Sequence, residues 1–385
     1  MDLLSAAMPA PPPPSVHLSG LNGLRAISAL AVVVSHISLS LDKFGLDRYL
    51  FGRFADGTAR GLDMASYGVT IFFTISGFLI TYLLLAERNK TGTVHVGRFY
   101  VRRVLRIWPL YYGYLFMALG VATWAGMEWN SGSLAYYLLL LSNIPFMFGG
   151  EIPLIEHFWT IGVEEQFYLF WPWLVKWARE RLLRLVVVLL SLLILSLFLA
   201  KYLSLAQGIR TPLVLLGTVR FQCMLVGCLG AILWSSGNVW FAQVTTHVVA
   251  QFSAWGAVLL IALNQFPVPS FVANEAVSVI ALLLIMGQVT GARRTLGLEN
   301  HVCDVLGRMS YGIYILHPLV IYLFARWIDV SGVAVPLRYP LVFGAMIALT
   351  LSFAWLSYRY FETPILRMKA RFAVVQSRSG MNGMT

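Results

Sequence analysis

Charged residues are scarce in this sequence of 385 residues. They make up 12% of the chain, about half of the share that is usual in a soluble protein. Hydrophobic residues make up 58% of the chain, and its mean hydropathy is +0.74. So few charges cannot cover a water-exposed surface of ordinary size. The composition therefore excludes an ordinary soluble globular protein and predicts one that lies largely in lipid.

Cysteine is scarce as well. The three cysteines, Cys223, Cys228 and Cys303, are odd in number and do not have the spacing of metal ligands. This excludes a disulfide framework, and we expect no bound metal. The first 20 residues also lack a basic stretch followed by an apolar one, so we expect no cleavable signal peptide. Because they include four consecutive prolines, residues 1–20 are predicted to form a disordered lead-in.

Long apolar runs are abundant, and a membrane-spanning helix needs roughly 20 mostly apolar residues. The runs that meet this length are 23–41, 67–86, 107–126, 158–176, 185–203, 213–234, 246–264, 272–290, 309–328 and 339–358. The apolar stretch 134–148 is too short to cross, and we interpret it as re-entrant or interfacial. The fold class is therefore predicted to be all-α, a polytopic transmembrane bundle of about ten spanning helices.

The net charge of +11 comes from basic clusters that lie between apolar runs. Such clusters mark the cytoplasmic ends of spanning helices. We expect these clusters to contact membrane lipid and not nucleic acid. With about ten spans, both termini are predicted to be cytoplasmic, in a multi-pass protein of the inner (cytoplasmic) membrane. We divide the chain into the lead-in, a transmembrane domain at 21–367 and a basic cytoplasmic tail at 368–385.

Arg25 and His36 stand in the first predicted span, eleven residues apart. This spacing is about three helical turns, so both side chains share one face, about 16 Å apart along the axis. A charged or titratable residue within a span is costly and by default has a function. A histidine buried there stays neutral, which is the form that a general base requires. A structural histidine and a proton relay are the alternatives.

Further polar residues punctuate the later spans. Arg103 and Arg106 share a helix face and suit phosphate, although juxtamembrane arginines also simply fix topology and meet anionic lipid. Glu164 and Glu165 are adjacent, so they point about 100° apart and cannot serve one site equally. His317 lies mid-span before a proline, and structural and catalytic roles are both open for it. Glu362 lies at the end of the last predicted span, and a role as a structural clamp is favoured for it.

In this order, these stretches resemble the membrane-bound acyltransferase-3 family over roughly residues 20 to 367. The motifs are the Arg25/His36 pair, Phe72-Phe73 followed by Ser76-Gly77-Phe78, Arg103-Val104-Leu105-Arg106, Trp159 through Tyr168, Ser310 through His317, and Glu362 with Pro364. Each motif alone is a weak signal, and their combination with about ten spans between them is a strong one.

The resemblance implies transfer of an acyl group, often acetyl, from acyl-coenzyme A to hydroxyls of surface carbohydrates, lipopolysaccharide, peptidoglycan or secondary metabolites. It implies that His36 is the essential histidine, with Arg25 and Glu164 in the same active site. It also implies that Arg103 and Arg106, with Arg102 beside them, hold the donor phosphates. Candidates for an acceptor or structural site are Ser76, Trp159, Glu165, Tyr168, His317 and Glu362.

The expected partners are acyl-coenzyme A, most simply acetyl-coenzyme A, as co-substrate and a carbohydrate or glycolipid acceptor, with no bound cofactor. Some relatives carry an extracytoplasmic hydrolase-like domain that completes the transfer. Only a short tail follows the last span here, so we expect the chain to complete the transfer alone or to hand the acyl group to a separate protein. Thr160 replaces a frequent serine of the family. Gln222 stands where relatives often have an acid, and we assign it no role.

The resulting hypothesis has His36 take the proton of the acceptor hydroxyl while Glu164 orients His36 or positions the acceptor. A route through an acylated residue stays open. Three rival functions also stay open. One is a proton-coupled secondary transporter that uses His36, Glu164 and His317 as a proton path. The others are a lipid-linked sugar transferase and a non-catalytic export partner.

Overall fold

The computed structural model describes residues 15–16, 18–53, 57–291, 295–372 and 376–377, and they are almost entirely helical. The α-helices are α1 Leu21–Leu39, α2 Met64–Thr91, α3 Val96–Trp124, α4 Leu134–Leu138, α5 Asn143–Phe148, α6 Trp159–Ala178, α7 Leu182–Gln207, α8 Thr211–Val219, α9 Phe221–Ser235, α10 Val239–Thr245, α11 Val248–Ala262, α12 Ser270–Thr290, α13 His301–Phe324, α14 Val335–Leu356 and α15 Thr363–Lys369. A π-helix, Ser357–Glu362, joins α14 to α15.

Short elements complete the chain. Single turns of 3₁₀-helix lie at Leu41–Phe44, Ser131–Ser133, Glu156–Phe158, Arg179–Arg181 and Ala370–Phe372. The two-residue strands β1 Ser15–Val16 and β2 Gln376–Ser377 pair in parallel. Most of the predicted lead-in and of the predicted tail lies outside the described residues, so those two predictions are not examined by the structure.

Several helices are long and apolar enough to span a membrane, as the composition predicted. In the described part of the chain there are seven such segments, or eight if the bent pair α10 and α11 is one span. A helix lies at each of the ten predicted positions, but the count of ten and the cytoplasmic placement of both termini stay predictions. The difference between ten and eight has two sources. α6 and α7 form parts of one apolar segment of 52 residues, and α13 is not among the seven.

The segment predicted to be too short for a crossing folds as two short helices, α4 and α5. Side chains of the neighbouring elements hold this segment against α3 and α6. The Tyr111 hydroxyl donates to the Tyr137 carbonyl oxygen at 2.8 Å, and Ser142 Oγ donates to the Phe158 carbonyl oxygen at 2.7 Å. Five and six residues of helix rise only about 8–9 Å each, far less than the hydrocarbon thickness.

The centre of the bundle consists of α1, α2, α9 and α13. α1 packs along both α13 and α2, and α2 packs most extensively against α9. Glycines allow α2 and α9 to approach each other closely. A Cβ atom on Gly77 would lie 2.0 Å from the Met224 carbonyl oxygen, and one on Gly227 would lie 2.0 Å from the Thr74 carbonyl oxygen. Small residues at such crossings let two helix backbones meet closely within a membrane.

Gly227→Ala should therefore destabilise the protein, because the added methyl would force α2 and α9 apart. Overpacking of this kind costs about 1–3 kcal/mol. Gly120→Ala, in α3, is the matched control because its added methyl meets no atom within 4 Å. Thermal unfolding of the protein in detergent, followed by tryptophan fluorescence, should show a lower Tm only for Gly227→Ala. Equal Tm values for the two variants would contradict this packing.

Candidate active site

A cavity lies among α1, α2, α3, α6 and α13, with about 730 Å³ of empty space including its mouth. Five helices from distant parts of the sequence therefore contribute to one site. The polar residues that line it are Arg25, Ser76, Arg103, Arg106, Thr160, Glu164, Tyr168, Ser310, Tyr311 and Tyr314. Most motif residues singled out in the sequence thus meet in one place.

Three guanidinium groups and one carboxylate face this cavity. Arg25 Nε donates to Ser310 Oγ at 3.3 Å, which joins α1 to α13. Glu164 lines the same cavity as Ser76, Arg25 and Arg103. With three positive charges and one negative charge, the cavity retains a positive charge that suits a polyanionic ligand.

Arg103 is held by aromatic rings. Its guanidinium carbon lies 4.9 Å from the centre of the Tyr168 ring and 5.4 Å from that of Phe99. The Tyr168 hydroxyl in turn hydrogen-bonds Ser76 Oγ. Arg106, one helical turn after Arg103, lines the same cavity. The two arginines therefore share one helix face, as their spacing predicted, and that face lines the cavity.

Arg102 is placed differently from its two neighbours. It does not line this cavity. Its guanidinium donates to Glu87 Oε2 at 3.1 Å and to the Phe372 carbonyl oxygen at 2.8 Å. Glu87 is buried and also bonds the His95 ring at 3.0 Å. Arg102 thus fastens α3 to α2 and to the segment after α15, and this geometry favours a structural role over the predicted contact with donor phosphates.

A pair of histidines lies beyond the cavity, between α1 and α13. His36 Nδ1 lies 2.6 Å from His317 Nε2, and the two rings are within 9° of parallel. His317 Nδ1 lies 3.3 Å from the Ile313 carbonyl oxygen. Because a carbonyl oxygen can only accept, His317 Nδ1 carries a hydrogen and its Nε2 accepts the Nδ1 hydrogen of His36. This arrangement leaves His36 Nε2 with a free lone pair, as a general base requires.

A third histidine, His157, completes the cluster. Its ring centre lies 5.4 Å from that of His317, and its Nε2 lies 3.2 Å from the Ile315 carbonyl oxygen. Its Nδ1 is buried and has no hydrogen-bond partner among the described residues. Sequence reasoning did not single out His157. Its place at the entrance to an apolar span, two residues before Trp159, was the available signal.

Tyr314 connects the cavity to the histidines. It lines the cavity, and its ring centre lies 5.9 Å from that of His317. Its hydroxyl donates to the His157 carbonyl oxygen at 2.8 Å and lies 2.7 Å from Thr160 Oγ1. The inner end of the basic cavity is therefore one aromatic side chain away from the histidine pair.

A family model for an acyltransferase domain matches residues 18–359 of this chain. The chain belongs to this acyltransferase family. It is 26% identical to a protein of Staphylococcus aureus strain COL titled "Putative O-acetyltransferase", over 90% of this chain and 57% of that protein. It is 23% identical to the O-acetyltransferase OatA of Staphylococcus aureus strain NCTC 8325, over 96% of this chain and 60% of OatA. No solved structure matches the chain.

The chain thus spans about three-fifths of the length of these relatives.

The position of Glu164 relative to His36 bears on whether the two side chains act together. The hypothesis from the sequence has Glu164 orient or charge-stabilise His36, or position the acceptor. In the structure His36 bonds His317, and Glu164 lines the cavity with the arginines. Arg25, in that cavity, precedes His36 by about three turns of α1. The role of Glu164 stays a prediction.

Two further predicted residues, Glu165 and Glu362, lie outside the lining of this cavity. Oε2 of Glu165 accepts from Trp108 Nε1 at 3.0 Å, and Oε1 of Glu165 is buried without a partner in the described part of the chain. Glu362 is buried in the π-helix, where Ser357 Oγ donates to it at 3.2 Å. This bond lies within the π-helix itself, so the predicted clamp at the end of the last span stays a prediction.

Trp159 is enclosed on two sides. Its ring stacks on that of Phe146 at 4.9 Å, and the Arg220 guanidinium lies 5.2 Å from its centre. Arg220 has a positive φ of 46° between α8 and α9.

The side chain of Gln222 donates to Glu275 Oε1 at 2.9 Å, so a carboxylate from α12 lies close to the position where relatives often have an acid.

Among the described residues, no group of three or more histidine, cysteine, aspartate or glutamate side chains is arranged to hold a metal ion. In the histidine cluster, His36 Nδ1 and His317 Nε2 bond each other, and His317 Nδ1 and His157 Nε2 lie against carbonyl oxygens.

The charge balance in the cavity predicts coupled effects of mutation. Arg25→Gln should destabilise the protein because it takes the donor from Ser310 Oγ and removes a cation from the cavity that Glu164 also lines, and leaving a buried acceptor without its donor costs about 1–3 kcal/mol. Adding Glu164→Gln should restore part of the loss, which a double-mutant cycle of Tm values in detergent would measure.

Arg48→Gln is the matched control for this cycle. Arg48 pairs with Asp42 at 3.9 Å, but both side chains are about half exposed. Such a pair contributes little, about 0–1 kcal/mol. Strictly additive losses for Arg25→Gln and Glu164→Gln would contradict the proposed interaction.

Proposed function

We propose that this chain is an integral membrane O-acyltransferase that moves an acetyl group from acetyl-coenzyme A to a hydroxyl of a carbohydrate or glycolipid. The observation that carries the proposal is the His36–His317 pair, which lies one aromatic side chain, Tyr314, beyond a cavity lined by three arginines. The names of the relatives support acetyl as the acyl group. Support for a carbohydrate acceptor comes from the family resemblance alone.

The donor enters this scheme through its phosphates. Coenzyme A is polyanionic, and Arg103 and Arg106 with Arg25 supply the positive charge of the cavity. Arginine binds phosphate oxygens through paired hydrogen bonds, which also orient the ligand. The acyl-bearing arm then extends toward Thr160 and Tyr314. By the positive-inside rule the arginine end faces the cytoplasm, where coenzyme A is available.

The chemistry falls to His36. The acceptor oxygen attacks the thioester carbonyl carbon while His36 Nε2 takes its proton. The carbon–sulfur bond then breaks, and the sulfur leaves with the proton that His36 returns. The products are an ester and free coenzyme A. His317 accepts the His36 Nδ1 hydrogen throughout, which orients the imidazole and stabilises its charged form.

Glu164 acts in this scheme through the arginines. As the one carboxylate in the lining of this cavity, it offsets part of the mutual repulsion of the three arginines. This separates the two halves of the site. One half binds phosphate and the other moves a proton.

His36→Ala should lower acetyl transfer by about 10²–10⁴-fold, the range that a general base contributes. His317→Ala should also lower the rate, because it removes the group that fixes the His36 tautomer. His301→Ala, an exposed histidine at the start of α13, is the matched control. Transfer from radiolabelled acetyl-coenzyme A is measured in vesicles that contain equal amounts of inserted protein. Undiminished transfer by His36→Ala would contradict the proposal.

Substitutions of Arg106 and Arg102 should differ in their effect on the affinity for coenzyme A. Arg106→Gln should weaken coenzyme A binding about 10- to 100-fold, because a hydrogen bond to a charged group contributes about 1.5–3 kcal/mol. Arg102→Gln should leave the Kd for coenzyme A nearly unchanged and lower the Tm, since Arg102 contacts Glu87. Titration of the purified protein with coenzyme A measures both. The opposite pattern would assign donor binding to Arg102.

A further inference from the structure

A second cavity lies where the α2–α3 and α6–α7 connections meet. It has about 1160 Å³ of empty space including its mouth and shares no lining residue with the active-site cavity. Its charged lining consists of Arg88, Lys176 and Arg179 with a single acid, Glu180. Three cations from two separate connections therefore face one space with a net positive charge.

The cations of this cavity form no ion pair with a carboxylate in the described part of the chain. Among the described residues, none of its three cations has a carboxylate oxygen within 4.0 Å, although Glu180 is adjacent to Arg179 in sequence. Arg88 is oriented by a hydrogen bond of 3.4 Å to the Val175 carbonyl oxygen. The guanidinium of Arg88 is thus fixed in position while its charge stays available to an anion.

The cavity lies at the perimeter of the bundle. Trp177, one of its lining residues, is 69% exposed, and the neighbouring Trp173 is 37% exposed. Lys176 Nζ lies 5.6 Å from the centre of the Trp173 ring. Tryptophan is concentrated at the level of lipid headgroups, where its ring meets both hydrocarbon and water. The basic cavity therefore opens beside a surface that faces lipid.

The two cavities are also well separated along the helices. Glu164, in the first cavity, and Lys176, in the second, are twelve residues apart in α6, which is about 18 Å. Ser76 and Arg88 have the same separation in α2. On both helices, therefore, the second cavity lies nearer the membrane surface than the active site does.

We propose that this second cavity binds the phosphate headgroup of an anionic phospholipid. Basic pockets between helices at a membrane surface bind such headgroups, and guanidinium groups match phosphate oxygens. The other phosphate source would be the nucleotide of coenzyme A, but the lipid-facing tryptophan and the separate lining favour the lipid. A bound headgroup would bridge the α2–α3 and α6–α7 connections. This proposal does not depend on the acetyl-transfer reaction.

Native mass spectrometry of the full chain, with phosphatidylglycerol or phosphatidylcholine added, tests the proposal. We expect phosphatidylglycerol to bind in preference to phosphatidylcholine. The triple variant Arg88→Gln, Lys176→Gln, Arg179→Gln should bind phosphatidylglycerol at least about tenfold more weakly. The double variant Lys176→Gln, Arg179→Gln should show the same direction of change and keeps the Arg88 hydrogen bond, so it serves if the triple variant does not fold.

The matched control removes three exposed cations outside the cavity, by the substitutions Arg98→Gln, Arg181→Gln and Arg184→Gln. It should change the affinity by less than about twofold if the site is specific. Equal losses in the cavity and control variants would overturn the proposal, because the binding would then reflect net charge alone. Displacement of the lipid by coenzyme A or inorganic phosphate, with loss of that binding in the cavity variants, would also overturn it.

Discussion

The hydrogen bond between His36 and His317 joins α1 to α13 in the centre of the bundle, and the proposed chemistry depends on it. A polar side chain surrounded by apolar helices must find its partner inside the protein. The Ile313 carbonyl oxygen fixes the hydrogen of one ring, and that ring fixes the hydrogen of the other. A single backbone acceptor thereby determines which nitrogen of His36 has a lone pair.

The need of buried polar groups for a partner inside the protein also explains why the charged residues and the proposed proton transfer lie at different ends of the site. The arginines of the cavity need a counter-charge, and Glu164 supplies it in the lining of the same cavity. Had a carboxylate stood beside His36 instead, it would have favoured the charged imidazole. A neutral histidine as the partner of His36 leaves that ring neutral and able to accept a proton. Tyr314 separates the two environments.

Much of this arrangement could be predicted from the sequence, because helical spacing and the cost of burying charge are local properties. The pairing of Arg103 and Arg106 on one face and the divergence of Glu164 from Glu165 both follow from residues per turn. What the sequence could not provide was the relative depth of residues on different helices. That depth assigned His317 rather than Glu164 to His36, turned Arg102 toward Glu87, and added His157 to the cluster.

A structure of the protein with a non-hydrolysable acetyl-coenzyme A analogue bound would test the central claim most directly. The decisive measurement is the position of the atom that replaces the thioester carbonyl carbon. We predict that this atom lies at the inner end of the cavity, with room for an acceptor oxygen about 3–3.5 Å from it that also reaches His36 Nε2. The phosphates of the analogue should contact Arg103 and Arg106. An analogue bound with its acyl group remote from His36 would contradict the proposed mechanism.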